Sequence, residues 1–191
     1  MAKKILICAD SHGDHIDLRC RDALMSFKQD FKPDVLVHLG DAYDFRGLRK
    51  GASIEERAEG TKQDIDEGRQ FLLDFFKGKA KEKIYLWGNH CMRPHDNMES
   101  NCGITRDFCE TVFQDQLNTL RACGVKDNDN FYDARKVVEL DIHFRFHHGI
   151  SSAINAAKNH ADLYGGKVPA VIAGHNHYFQ QWRSVSFDRQ E

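Results

Sequence analysis

Polar clusters at the ends of apolar runs are the feature that most constrains this chain. Five runs are typical of buried strands, and each stops at a group of Gly, Asp, Asn or His residues. In chain order the clusters are Asp10-Ser11-His12, Gly40-Asp41, Gly88-Asn89-His90, His148-Gly149 and Gly174-His175-Asn176-His177. The runs at 4–9 and 35–39 are apolar almost throughout, which is typical of strands buried on both faces of a sheet.

Helical patterns separate these runs. The spacing of apolar residues predicts helices over 17–31, 106–123 and 151–164, and a capping box of Ser53 and Glu56 predicts another that extends to residue 77. Residues 91–105 are predicted to form a long loop, 131–146 two short strands with Asp141 at their turn, and 181–187 a last strand. Alternating strands and helices indicate an α/β fold, in which ligand sites form at the carboxyl ends of strands. We therefore expect the five clusters to converge.

The five clusters resemble the signature blocks of the calcineurin-like metallophosphoesterases: Asp-x-His, Gly-Asp, Gly-Asn-His, His-Gly and Gly-His-x-His. They occur in the family's order and span residues 10–177, nearly the whole chain. One block such as Gly-Asp is unspecific, but five in order at strand ends are a specific signal. The resemblance implies a two-layered β-sandwich flanked by helices, formed by a single domain over residues 1–191. The compact chain is most similar to the small prokaryotic or phage-type members.

The resemblance also implies a site for two metal ions, with Asp41 as the bridging ligand. Its other ligands would be Asp10, His12 and His177 on one ion and Asn89, His148 and His175 on the other. Carboxylate, imidazole and amide ligands without thiolates suit borderline divalent metals, so we expect manganese first and iron, zinc or nickel as alternatives. The reaction that the family implies is attack of a metal-bridging hydroxide on a phosphate ester, with His90 assisting the leaving group.

Several of these residues have a second interpretation. Asp10 and Asp41 are also typical of turns and helix caps, and only the whole constellation favours metal binding. His147 competes with His148, because the two lie on opposite faces of one strand. The family pattern places the ligand directly before Gly and therefore selects His148.

Two arginines near the clusters are candidates for binding the substrate. Arg93 and Arg46 each carry a guanidinium group that can hold a phosphate, and the alternative for Arg93 is a solvent-exposed side chain. Cys91 stands where many family members carry an acidic residue, a departure that removes no metal ligand.

Charge and cysteine content limit the partners. Lys and Arg number 27 and Asp and Glu 29, a formal charge of −2, so nucleic acid is not indicated as a partner. We expect a phosphate-ester substrate, with a phosphodiester favoured. A nuclease-type enzyme of the same fold and a catalytically silent interaction scaffold are the alternatives.

No apolar run has membrane-spanning length, and the six cysteines lack Cys-x-x-Cys spacing, which predicts a cytoplasmic protein with reduced thiols. The sequence does not indicate an oligomeric state.

Overall fold

A computed structural model describes residues 3–125, 137–141, 143–165 and 168–183. These residues form two three-stranded sheets with helices, a mixed α/β fold. The first sheet contains β1 (Ile5–Cys8), β2 (Val35–His38) and β3 (Glu82–Tyr85), all parallel and in that spatial order. Parallel pairing places the carboxyl ends of the three strands at one edge, as the sequence predicts.

The second sheet contains β4 (Val138–Leu140), β5 (Phe144–His147) and β6 (Ala170–Ala173). Strand β5 lies in the middle, antiparallel to β4 and parallel to β6, with Phe146 opposite Ile172. Asp141 follows β4 in a left-handed conformation (φ 50°), which confirms the predicted turn between the two strands. The chain therefore leaves β5 and β6 in the same direction, so the His148 and His175 clusters lie at one edge.

Six α-helices and two short 3-10 helices (Gly13–His15 and Arg46–Leu48) accompany the sheets within the described ranges. The α-helices are α1 (Leu18–Phe31), α2 (Ile54–Ala58), α3 (Lys62–Phe76), α4 (Arg93–Asp96), α5 (Gly103–Ala122) and α6 (Ala156–Tyr164). Helix α1 begins where the sequence predicts, because the Asp17 carboxylate accepts hydrogen bonds from the backbone N–H groups of Arg19 and Cys20. None of the helices in this part of the chain combines the length and apolar composition that crossing a membrane requires.

Side chains on the two faces of the first sheet enter two different apolar clusters. Leu36 packs on the helix side with Leu72 and Phe75 of α3 and Leu120 of α5. Val35 and Val37 point the other way, because successive strand residues alternate between faces. They cluster with residues of both sheets, including Leu86, Leu140 and Phe146. The first sheet thus has helices against one face and residues of the second sheet against the other.

The prediction of one continuous helix over 53–77 is wrong, because the structure has two helices there, α2 and α3. The capping box itself is confirmed, since Ser53 Oγ accepts from the Glu56 N–H at 3.1 Å and Glu56 accepts from the Ser53 N–H at 2.7 Å. Helix α2 ends at Ala58, and Glu59 has extended backbone (ψ 136°). The next residue is Gly60, which loses more conformational freedom in a helix than other residues do. Helix α3 therefore starts as a separate element.

Other boundaries differ from the expectation. The predicted loop at 91–105 contains α4 and the first turn of α5, and the helix predicted over 151–164 begins only at Ala156. Residues 181–183 are not in a strand, and the rest of the predicted last strand lies outside the described residues. The part of the predicted strand region at 131–136 also lies outside them.

Candidate metal centre

The residues that follow the strands meet in one place, on backbone of an unusual conformation. Five of the seven predicted ligands have φ in the left-handed region: Asp10 (54°), His12 (49°), Asp41 (53°), His175 (73°) and His177 (47°). Asp and His enter this region more readily than most residues, but each instance costs free energy. Such conformations cluster at functional sites, because the surrounding structure must enforce them. Here the first two loops are joined by backbone hydrogen bonds, from Asp10 N to Gly40 O and from His12 N to Asp41 O, both 3.0 Å.

The first group of donor atoms comes from Asp10, His12 and His177. Nε2 of His12 lies 3.1 Å from Nε2 of His177, and Asp10 Oδ1 lies 4.0 Å and 3.9 Å from these two nitrogens. Asp10 Oδ1 is buried without a hydrogen-bond partner among the described residues. Donors about 2.0–2.2 Å from one metal ion lie roughly 3–4 Å apart, so a divalent cation fits this triangle. The three residues fall within the distance that one ion would require.

The second group contains Asp41, His148 and His175, with Asn89 beside them. Nε2 of His148 lies 3.0 Å from Asp41 Oδ2 and 3.1 Å from Asn89 Oδ1. Nδ1 of His148 donates to the Leu39 carbonyl at 2.8 Å, which fixes the ring and directs Nε2 at the carboxylate and the amide oxygen. All four residues of this group are those that the family resemblance implies for the second ion.

Asp41 connects the two groups. Its Oδ1 accepts from the backbone N–H of His90 at 2.8 Å, and it also belongs to a third group of donors with His12 and His90. The carboxylate is 1% exposed, and it is enclosed by the Gly40 and Gly88 loops. A Cβ on Gly88 would lie 2.6 Å from Asp41 Cγ and 2.7 Å from Asp41 N, so only glycine fits there.

The surroundings shift the pKa values of these groups in opposite directions. Burial opposes ionisation of Asp41, but the hydrogen bond and charge of His148 outweigh it and lower the pKa of Asp41. Burial also opposes the charged form of His148, yet Asp41 raises its pKa. Burial, followed by the charge of His90, lowers the pKa of His12 to about 4. Asp41 and His148 thus each favour the charged form of the other, whereas the low pKa of His12 favours the neutral imidazole, the form that can bind a metal ion.

His90 is held by a carboxylate that sequence reasoning missed. Its Nδ1 lies 2.8 Å from Asp44 Oδ1, and its Nε2 lies 3.1 Å from the Nη2 of Arg93, which can only donate. Asp44 is buried, and although burial raises its pKa, the hydrogen bond and charge of His90 lower it to about 2. The carboxylate is thus ionised and orients the His90 ring. The one signal in the sequence is its position, three residues after Asp41 and between the aromatic residues Tyr43 and Phe45.

The two candidate substrate-binding arginines already contact carboxylates. Arg93 donates to the carbonyl of Asp44 at 2.7 Å and to its Oδ1 at 3.2 Å, and its side chain is only 12% exposed. Arg46 forms a bidentate pair with Asp14 at 2.8–3.0 Å and also pairs with Glu59. Both arginines contact Asp44, but Arg93 also lies beside His90, whereas Arg46 lies 3.6 Å from the other oxygen of Asp44.

Two buried polar residues support the loops of the site and were not predicted. Asp64 on α3 accepts hydrogen bonds from the N–H groups of Asp44 (2.9 Å) and Phe45 (2.7 Å). His38 at the end of β2 accepts from Gly40 N at 3.2 Å through Nδ1, and its Nε2 lies 3.4 Å from Ser11 Oγ. Burial lowers the pKa of His38 to about 3, so the ring is neutral. The ring therefore connects the Ser11 hydroxyl of the Asp10 loop with the Gly40 backbone N–H of the Asp41 loop.

Two sequence ambiguities have structural answers. His148 faces Asp41, whereas His147 lies on the opposite side, packed against the rings of His160 (4.6 Å) and Tyr164 (4.5 Å). Cys91 is fully buried, with Sγ 3.1 Å from the Tyr85 hydroxyl, so it packs in the core behind the site. Burial raises the pKa of this thiol to about 12. All six cysteines lie among the described residues, and none is in a disulfide.

Comparisons with known proteins agree with this geometry. The family model of the calcineurin-like phosphoesterases matches residues 3–179. The chain is also similar to the Gene 54 protein of Mycobacterium phage D29, with 26% identity over 185 residues that cover 93% of this chain and 70% of the phage protein. No solved structure matches. Since the family model covers nearly the whole chain, including all five clusters, this protein belongs to the calcineurin-like phosphoesterase family.

Proposed function

We propose that the protein hydrolyses a phosphate ester, with a phosphodiester favoured, at a site that holds two divalent metal ions. The observation that carries the proposal is the pair of donor groups on either side of Asp41, one with Asp10, His12 and His177 and the other with His148 and His175. Family membership supplies the reaction class, hydrolysis of phosphoric esters. The donor set of carboxylate, imidazole and amide, without thiolate, supports manganese, with iron, zinc or nickel as alternatives.

Bound divalent ions would lower the pKa of a water molecule and neutralise charge on the phosphoryl oxygens. Asp41 would ligate both ions, and Asn89 would complete the group around His148. The ring of His90 lies 4.5 Å from that of His12, next to the donor groups, and would contact the ester. Because Asp44 anchors Nδ1 of His90, only Nε2 could face the leaving oxygen, and Arg93 Nη2, which lies 3.1 Å from Nε2, would first turn from it toward the phosphoryl group.

Arg93 remains our candidate for contacting the phosphoryl group, because its Nη2 already lies beside His90 Nε2. Arg46 is a weaker candidate, since Asp14 and Glu59 take up its donors. We also propose that the two sheets are the layers of a sandwich within one domain over residues 1–191. The apolar cluster that contains Val37 of the first sheet and Phe146 of the second supports that arrangement.

The first experiment measures hydrolysis of bis-p-nitrophenyl phosphate and p-nitrophenyl phosphate with Mn²⁺ or with a chelator. We expect metal-dependent turnover that is lost in Asp41→Ala and strongly reduced in His90→Ala. His143→Ala is the matched control, because His143 is an exposed histidine paired with Asp141 and belongs to none of the clusters. The ratio of the two ester rates separates a diesterase from a monoesterase. Absence of turnover in protein that contains bound metal would favour the interaction-scaffold alternative.

A further inference from the structure

A cavity of about 480 Å³ opens beside the candidate metal centre. Its lining includes His12, His90 and His177 of the candidate site and Cys20 and Leu24 of α1. Volumes of about 300–1,000 Å³ are those of small-molecule sites. Because the cavity begins at the proposed phosphate-binding residues, it lies where the rest of a substrate would extend.

The cavity is lined by both apolar and polar side chains. Cys8, Ile16, Leu24 and Phe71 supply apolar surface, and all four belong to or pack against the core on the helix side of the first sheet. An apolar wall next to polar groups is typical of sites for ring-shaped organic groups, which bury their faces and present polar atoms at the edge. The wall is part of the packed core, so it is formed before any ligand arrives.

The charges around the cavity argue against a polymeric polyanion. Among its lining residues, Arg21 is the one lysine or arginine, and its guanidinium lies 3.1 Å from Asp22 and 3.9 Å from Glu67. Asp17 and Asp44 also line the cavity. A nucleic-acid strand requires several cations along its backbone, whereas a neutral organic group does not.

His15 provides a polar contact at the rim. Its Nδ1 lies 3.3 Å from Asp44 Oδ2, so the carboxylate that orients His90 also orients a second imidazole that lines the same cavity. The side chain of His15 is 57% exposed, and within the described part of the chain its Nε2 has no hydrogen-bond partner. This atom is available to a ligand.

We propose that this cavity binds the organic group of the phosphate ester and that His15 contacts that group. The group would be neutral, ring-shaped and about the size of one nucleoside. This proposal rests on the proposed function, which places the phosphate at the candidate metal centre. It adds that the neighbouring cavity selects the organic group of the substrate. The enzyme would therefore act on small organic phosphates and not on nucleic-acid strands.

The test compares binding of thymidine monophosphate and inorganic phosphate to Mn²⁺-supplemented protein by isothermal titration calorimetry. Burying one organic group in such a site changes affinity by about tenfold or more, so the nucleotide should bind at least that much more tightly than phosphate. Cys20→Trp should weaken nucleotide binding about tenfold, because the indole fills the cavity, and should leave phosphate binding unchanged. Ala23→Trp is the matched control, since Ala23 is exposed on the same helix and does not line the cavity.

His15→Ala is a second variant that removes a side chain without filling the cavity. It should weaken nucleotide binding and leave phosphate binding and the melting temperature unchanged. Equal binding of the two ligands to the unmodified protein, or equal losses in Cys20→Trp and Ala23→Trp, would overturn the subsite. The proposed function is tested separately by hydrolysis of bis-p-nitrophenyl phosphate in the same preparations. Turnover without nucleotide preference rejects the subsite alone, and absence of both turnover and ligand binding rejects both proposals.

Discussion

Substituting Asp44 by asparagine isolates the role of the carboxylate that holds His90. The change keeps the shape of the side chain but removes its charge, and the new amide would present a nitrogen where one carboxylate oxygen now faces a donor. Asp44 Oδ1 contacts His90 at 2.8 Å and Arg93 at 3.2 Å, while Oδ2 lies 3.3 Å from His15. Among the described residues, Asp44 belongs to none of the groups of donors that could hold a metal. Metal content should therefore survive the substitution.

The size of the effect follows from the hydrogen bond between Asp44 and His90. A hydrogen bond to a charged group contributes about 1.5–3 kcal/mol, and losing that amount from the transition state lowers kcat about 10- to 150-fold. KM should change less, because the orientation of His90 affects the leaving group more than binding of the ground state. The substitution also loses ion pairs with Arg93 and Arg46, so a moderate loss of stability is expected.

The assay is steady-state hydrolysis of bis-p-nitrophenyl phosphate with Mn²⁺, together with metal content by mass spectrometry and thermal unfolding. Asp14→Asn is the matched control, because Asp14 pairs with Arg46 at 2.8 Å and does not contact His90. It should lose a similar ion pair while keeping kcat within about threefold of the unmodified enzyme. Unchanged kcat in folded, metal-loaded Asp44→Asn, or an equal loss of kcat in Asp14→Asn, would refute the reasoning.

Three further predictions concern the loops and the metals. Gly88→Ala should abolish metal binding and destabilise the fold by about 1–3 kcal/mol, because the new Cβ overlaps Asp41. Gly60→Ala is the control, since Gly60 has open space around it, and it should change neither metal binding nor stability. Metal titration and urea unfolding measure the two effects. Asp64→Asn should cost about 1–3 kcal/mol in urea unfolding, because an amide nitrogen then faces one of the two N–H groups that Asp64 accepts; a cost near zero would contradict that account. Mn²⁺ at about 100 times its Kd should stabilise the fold by about 2.7 kcal/mol, and chelator should reverse the shift in melting temperature. Asp41→Ala should not respond to the metal, and a response as large as that of the unmodified protein would count against Asp41 as a ligand.

Local sequence was sufficient to find the donor groups. The apolar runs before Asp10 and Asp41 predict strands that stop at those residues, and the parallel pairing of β1, β2 and β3 brings their ends to one edge. Strand direction alone predicts that these ends converge, and the family resemblance implied which residues at the ends are donors. The choice of His148 over His147 came from the resemblance, since the family pattern places the ligand directly before Gly, and the structure places His148 against Asp41.

The residues that support the donors belong to tertiary structure. Asp44 holds His90 across 46 positions of the sequence, and His38 reaches Ser11 from another strand. Asp64 lies on a helix whose charged neighbours indicate solvent exposure, yet it is buried under the Asp44 loop. Spacing in the sequence cannot show such contacts, because a buried carboxylate is stabilised by N–H groups that only chain folding brings to it. The sequence by itself determined the strand-end clusters, whose resemblance to a family nominated the candidate ligands, and the packing of loops against α3 and β2 decided which other residues contact them.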